Sequence, residues 1–386
     1  MDFAFNDDQE LLRSTTRAFL DEHQSLAHLR PVLEAEEPFD RDVWRRGAEL
    51  GWTAMLVPPE HGGGSVTDQP LVDLAVLAEE LGRVLYPGPF VPTNVVADAV
   101  ARWGSDEQCA ELLPGLASGE LVAAWCTTAD GSAEPAAIDV RAEPTGDGYR
   151  LDGVARHVHG ATTADVLLVS AHAGDELVLL LVSLPADGAT VRRHGGLDLT
   201  RRAGDVSFDH VTVPETALLA RDERAVDALE RALALGVVLQ SSEAAGAADH
   251  VVRTTIQYAK DRHQFGRPIG SFQAIKHRLA DLHVTVEGML AAARYAALAY
   301  GDGLPDADEA VAVAGSFVAD AFVFVAGESV QLHGGIGFTW EHDAHLFVRR
   351  AIVDRSRYGD PAWHRERLCR ILERATPAAP EARVSA

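Results

Sequence analysis

Cysteine is scarce. The 386-residue chain has three, Cys109, Cys126 and Cys369, odd in number and far apart. A disulfide framework is therefore not expected, and a chain of this length can bury a core without one. Basic charge is short as well. The 34 Lys and Arg face 58 Asp and Glu, for a formal net charge of −24. That argues against nucleic acid as the main partner, since phosphate binding needs clustered cations. Long apolar runs are missing. No uncharged stretch reaches the roughly 18 residues of a membrane-spanning helix, so no membrane insertion is expected. The start, from Met1 to Leu12, is acidic and lacks the parts of a signal peptide, which makes the cytosol the expected location.

What is present falls into three zones. Residues 1–117 read as helical: Asn6 and Gln9 suggest a capping box, and Leu74, Leu77, Ala78 and Leu81 share a helix face within Leu71 to Leu85. A loop containing Pro87, Gly88, Pro89 and Pro92 is expected to end that helix. Residues 118–222 hold short apolar stretches separated by Gly and Asp turns: Ala137 to Ala142, Tyr149 to Leu151, Val166 to Val169, Leu177 to Val182 and Val206 to Val213. They predict a small β-barrel or sandwich. Residues 223–374 are helical again, and residues 375–386 read as a disordered tail. Ala225 to Lys260 is apolar on most sides, so it should be buried within or between subunits. Helices without βαβ alternation give an α+β class.

Generic signatures are mostly lacking: there is no GxGxxG after a strand, no GxxxxGK[ST] and no HExxH. His61-Gly62-Gly63-Gly64 lacks the GxSxG partner of a lipase oxyanion loop and reads as a turn. The pairs His157/His159 and His342/His345 could hold a metal, but neither has a third ligand at sensible spacing, so they read as surface or packing residues. Two segments remain. Arg262-His263-Gln264-Phe265-Gly266-Arg267-Pro268-Ile269, followed by Phe272-Gln273-Ala274, places an Arg, a Gln and an aromatic where a helix is expected to stop at Gly266 and Pro268. Such a set could clamp a phosphate and a ring. Gln331-Leu332-His333-Gly334-Gly335-Ile336-Gly337-Phe338 ends a helix in glycines whose backbone N–H groups are open to a ligand. Read singly, the first is a helical corner and the second a glycine C-cap.

Read together, RxQFGxPIxxFQA and QxxGGxGF resemble the acyl-CoA dehydrogenases. FNDDQELLR, LGWTAMLVPPEHGG, EELGR at Glu79 to Arg83 and FDHVTVP at Phe208 to Pro214 extend the resemblance over nearly the whole chain. It implies an N-terminal helical domain, a middle β-domain and a C-terminal four-helix bundle, assembled as tetramers. It also implies FAD as cofactor, an acyl-CoA substrate desaturated to a 2-enoyl-CoA, and an electron-accepting flavoprotein. A carboxylate takes the α-proton while the β-hydrogen leaves as hydride to flavin N5. By the same resemblance, Arg262, Gln264, Phe265, Gln273, Gln331, Gly334 and Gly335 contact FAD bound mainly by a neighbouring subunit.

The chain departs from the family pattern where the flavin ring would lie. The TEPxAGSD-like loop is degraded to Thr127-Thr128-Ala129-Asp130-Gly131-Ser132-Ala133-Glu134-Pro135, and the W[IV][TS] segment to His157-Val158-His159. The usual positions of the base fall near Tyr358 and Gly236, with Val237 where an Arg commonly follows; none of these can abstract a proton. Glu243 stands alone in the uncharged middle of its helix and is the tentative base, against a reading as a buried ion-pair partner. Asp354 and Asp360 are weaker candidates. The expectation is a partner subunit of an α2β2 acyl-CoA dehydrogenase, of the kind that acts on sterol side chains and other bulky CoA esters. It would supply the trans half of the FAD site. The alternatives are a self-sufficient homotetramer using Glu243 or another acid, and a flavin-free structural relative.

Overall fold

The computed structural model describes residues 5–33, 35, 39–128 and 135–375. Most of the expected tail, and Ala129 to Glu134 of the degraded loop, lie outside the described residues. The chain opens with α1 (Asp7–His23), α2 (Leu26–Leu29), α3 (Arg41–Glu49), α4 (Pro70–Arg83), α5 (Phe90–Trp103) and α6 (Asp106–Ala117). The Asn6–Gln9 capping box forms: Gln9 N–H donates to Asn6 Oδ1 at 2.9 Å, and Asn6 N–H to Gln9 Oε1 at 3.2 Å. The Pro-rich stretch after α4 is not a long loop, because α5 begins at Phe90 with Pro92 in its first turn. Proline is tolerated there because those N–H groups have no intrahelical acceptor. His61-Gly62-Gly63-Gly64 is the end of a short 3₁₀ turn, with Gly62 left-handed at φ 85°.

The strands are β1 (Ala123–Cys126), β2 (Arg141–Pro144), β3 (Gly148–His159), β4 (Val166–Ala173), β5 (Glu176–Ser183), β6 (Ala189–Arg193), β7 (Ala203–Pro214) and β8 (Leu218–Arg221). They form one mixed sheet in the order β6-β7-β3-β2-β4-β5-β8, with β1 parallel to β4. The expected strand from Ala137 to Ala142 is mostly irregular, and β2 starts only at Arg141. β4 and β5 read as continuous apolar runs because both faces are buried. Leu168, Leu179 and Leu181 join the core of the N-terminal helices, while Leu167, Val169, Val178 and Leu180 join the core of the sheet.

The 40-residue α7 (Asp222–Asp261) is the spine of the last part, which continues through α8 (Gln273–Gly301), α9 (Ala307–His333), α10 (Ala344–Asp354) and α11 (Pro361–Ala375). The stretch of α7 around residues 232–248 is buried within this chain against α4, α5, α8 and α9. α9 is long and apolar enough to cross a membrane by length and composition, but over half of that window is buried in the bundle. α4 and α7 cross with backbones in contact. A Cβ on Gly82 would meet the Glu243 carbonyl O at 1.9 Å, and one on Gly246 the Glu79 carbonyl O at 2.0 Å. Arg294 on α8 locks this crossing through both oxygens of the buried Glu79, at 2.7 and 2.8 Å.

Candidate functional site

A cavity of about 820 Å³ lies where the sheet meets the C-terminal helices. That volume suits a small-molecule site. Trp125, Thr127 and Thr128 at the end of β1 form one wall, and Arg156 to His159 at the end of β3 another. The β6–β7 loop from His194 to Arg201, Leu229 and Leu233 of α7, and the α10–α11 turn around Tyr358 close it. Two strained turns shape the lining. A bulge between Ala155 and Val158 puts His157 at φ 54°, so His157 is exposed while His159 is 6% exposed. The two imidazoles therefore do not share one environment, as simple strand alternation would require. At the other wall Tyr358 has φ 56° and Gly359 φ 96°, and the Tyr358 ring lies parallel to that of Trp125 with centroids 6.3 Å apart.

The sequence reading missed the β6–β7 loop. Its signal was the Arg201-Arg202 doublet after a Gly- and Asp-rich stretch. Arg201 reaches into the helices, where it donates to Glu243 Oε2 at 2.6 Å and Asp354 Oδ1 at 3.1 Å, all three buried. Arg350, 2% exposed, donates to Asp198 Oδ2 at 2.6 Å. Glu243 is thus held in an ion pair and does not line the cavity. Asp354 is shared between Arg201 and Arg357, the latter at 3.7 Å. Burial pushes the Tyr358 hydroxyl up to about 12, which makes it a poor proton acceptor at neutral pH. Asp198 and Asp360 are the acids among the described cavity-lining residues. Asp198 is spent on Arg350 and Thr200, and Asp360 accepts the Trp363 N–H at 2.8 Å at the start of α11.

The second expected site lies on the surface. α7 stops at Asp261, earlier than Gly266, and Arg262 is already extended. A hairpin of β9 (His263–Gln264) and β10 (Arg267–Pro268) follows. Its turn residues, Phe265 and Gly266, have φ 53° and 79°, the two positive values of a tight hairpin turn. Phe265 is 91% exposed and Phe338 84%. Arg262, Gln264, Gln273, Gln331, Gly334 and Gly335 are exposed too, and neither glycine's Cβ position meets any neighbouring atom. Tyr258, four residues before Arg262, joins the two segments: its hydroxyl donates to the His333 carbonyl at 3.3 Å and its ring lies 4.4 Å from the imidazole. A cation, exposed amides and a bare aromatic on one surface suit a phosphate-bearing cofactor with a ring.

His342 packs on His333 and His345 on Trp340. Among the described residues the one grouping with metal-ligand spacing is Asp152, Asp209 and His210, at the far end of the sheet and half-buried to exposed.

Family models place this fold. The acyl-CoA dehydrogenase N-terminal domain matches residues 6–120 and the acyl-CoA dehydrogenase C-terminal domain residues 226–372. Acyl-CoA dehydrogenase IpdE2 of Mycolicibacterium smegmatis is 32% identical over 95% of this chain and 98% of its own. Among solved structures, the Tcur3481-Tcur3483 steroid ACAD is 31% identical with a TM-score of 0.85, covering 96% of this chain and 98% of that one. The ChsE4-ChsE5 complex from Mycobacterium tuberculosis is 27% identical with a TM-score of 0.87, covering 98% and 100%. The chain belongs to the acyl-CoA dehydrogenase family, whose cofactor is FAD.

Proposed function

We propose that the chain is the partner subunit of a two-component acyl-CoA dehydrogenase that desaturates a bulky acyl-CoA to its 2-enoyl-CoA. The observation that carries this reading is the lack of a free carboxylate on the cavity wall among the described residues. Proton abstraction α to a thioester needs a positioned base. Here Asp198 is ion-paired, Asp360 holds a helix end, Glu243 is sequestered by Arg201, and Tyr358, near the position to which the family resemblance assigns the base, lines the wall. The base then comes from the other chain, and this chain contributes its exposed surface segment. FAD supplies the hydride acceptor when bound. Arg262 would neutralise its pyrophosphate, the exposed Gly335 backbone beyond the Gly334 cap would let a phosphate approach closely, and Phe265 would cover an apolar edge. The relatives named as pairs, Tcur3481-Tcur3483 and ChsE4-ChsE5, support two unlike chains, and the first one's description as a steroid enzyme supports a ring-bearing acyl group.

The test is a visible spectrum of the chain expressed alone and of the chain co-expressed with an acyl-CoA dehydrogenase encoded beside it. The expected result is a colourless protein alone and a yellow, dye-reducing complex. Stoichiometric flavin and dye reduction by the chain alone would establish the self-sufficient homotetramer instead.

A further inference from the structure

No acid on the cavity's described wall is free, and several of its buried side-chain nitrogens lack a hydrogen-bond partner among the described residues. His159 is 6% exposed and lines the cavity, and neither ring nitrogen has a hydrogen-bond partner among the described residues. A neutral imidazole carries one N–H, so a donor is left unmet at a cost of about 1–3 kcal/mol. Arg357 also lines the cavity. Its Nε is buried without a hydrogen bond, and its nearest carboxylate, Asp354, is already engaged by Arg201. The Nε of Arg201 is unmet in the same way. Among these groups two guanidinium Nε donors and one imidazole N–H stand unmet against a single imidazole lone pair, so donors are in excess.

We propose that this cavity binds an apolar carboxylic acid, alicyclic or aromatic, with its carboxylate on Arg357 and His159. The proposal rests on the two-component reading, which leaves the cavity to a ligand other than the flavin ring. The flat Trp125–Tyr358 wall, with Leu229, Leu233 and Ile138, suits an apolar ring body. The fork of a guanidinium matches a planar carboxylate. A phosphate dianion fits less well, because Asp198 and Asp360 share the wall and would repel a second charge. Burial holds Arg357 below the usual guanidinium value, against the pull of Asp354, and burial with the nearby Arg201 and Arg357 holds His159 well below the usual imidazole value, so His159 meets a ligand as a neutral donor.

The carboxylate can belong to a free acid or to the far end of a dicarboxylic acyl group on CoA. Calorimetric titration of the intact two-chain complex with cyclohexanecarboxylate, its neutral amide and glutaryl-CoA separates them. Binding of the free acid at least about tenfold tighter than the amide, lost in Arg357→Gln, supports the site with a free acid as ligand. Binding of glutaryl-CoA alone, with the same Arg357 dependence, supports it with the CoA half-ester as ligand. Leu233→Trp, which fills the cavity from its apolar side, must remove the same binding and guards against misfolding of the charge variant. Equal binding of acid and amide, no binding of either carboxylate, or binding indifferent to both substitutions overturns the proposal. FAD is counted in the same samples. FAD on half of the chains with no carboxylate bound sinks this site alone, whereas FAD on every chain sinks the two-component reading as well.

Discussion

At the scale of single residues, the fate of Glu243 turns on Arg201. A carboxylate in an Ala- and Val-lined helix must find a partner or give up its charge. Sequence spacing drew attention to it because it stands alone between Glu230 and Asp249, but spacing could not reveal a cation arriving from a loop 42 residues away. An ion pair 2.6 Å long with both members buried supports a structural role. Glu243→Gln should therefore leave turnover of the assembled enzyme within a few-fold of wild type and cost about 1–3 kcal/mol of stability by urea unfolding. Arg201→Ala should cost more, about 3–5 kcal/mol, because it strands two buried carboxylates. Turnover abolished in Glu243→Gln with an unchanged unfolding midpoint would restore Glu243 as the base.

At the scale of elements, the α4–α7 crossing is set by glycine. Alanine would favour the helix by about 1 kcal/mol at Gly246. Its Cβ, however, would sit 2.0 Å from the Glu79 carbonyl O, on backbone that cannot step aside. Overpacking of this kind typically costs about 1–3 kcal/mol and outweighs the propensity gain. Gly246→Ala should lower the urea midpoint, and a raised midpoint would show that the helices separate freely. The lack of charge made the body of α7 legible in the sequence. The misreadings have local causes. Pro92 hid α5 because a first-turn proline resembles a breaker, and the end of α7 was displaced because a hairpin turn at Phe265 uses a positive φ that phenylalanine rarely adopts. The surface segment was legible because each half is contiguous in sequence. The cavity was not, because its walls come from Trp125 to His159, the 194–201 loop, Leu229 and Leu233, and the 352–363 turn, which only the tertiary fold brings together.

At the scale of the molecule, a net charge of −24 has to coexist with an anionic cofactor and an anionic substrate. Overall charge sets long-range repulsion, which is screened over about 8–10 Å in physiological salt. A phosphate is held by what lies within hydrogen-bond reach. Many of the chain's arginines are paired with carboxylates, as Arg17, Arg83, Arg201, Arg294 and Arg350 are. Arg262 is exposed and makes no ion pair with a described residue, so its charge is available to another molecule. Arg262→Ala should accordingly strip most of the FAD from the assembled complex, read as the flavin absorbance per protein after gel filtration. Because the side chain makes no ion pair with a described residue of its own subunit, thermal unfolding of the isolated chain should not move. Arg262→Lys should restore only part of the FAD, since a point charge replaces the planar fork. FAD content unchanged in Arg262→Ala would remove this surface from the cofactor site, and with it the contribution that makes this chain more than a structural partner.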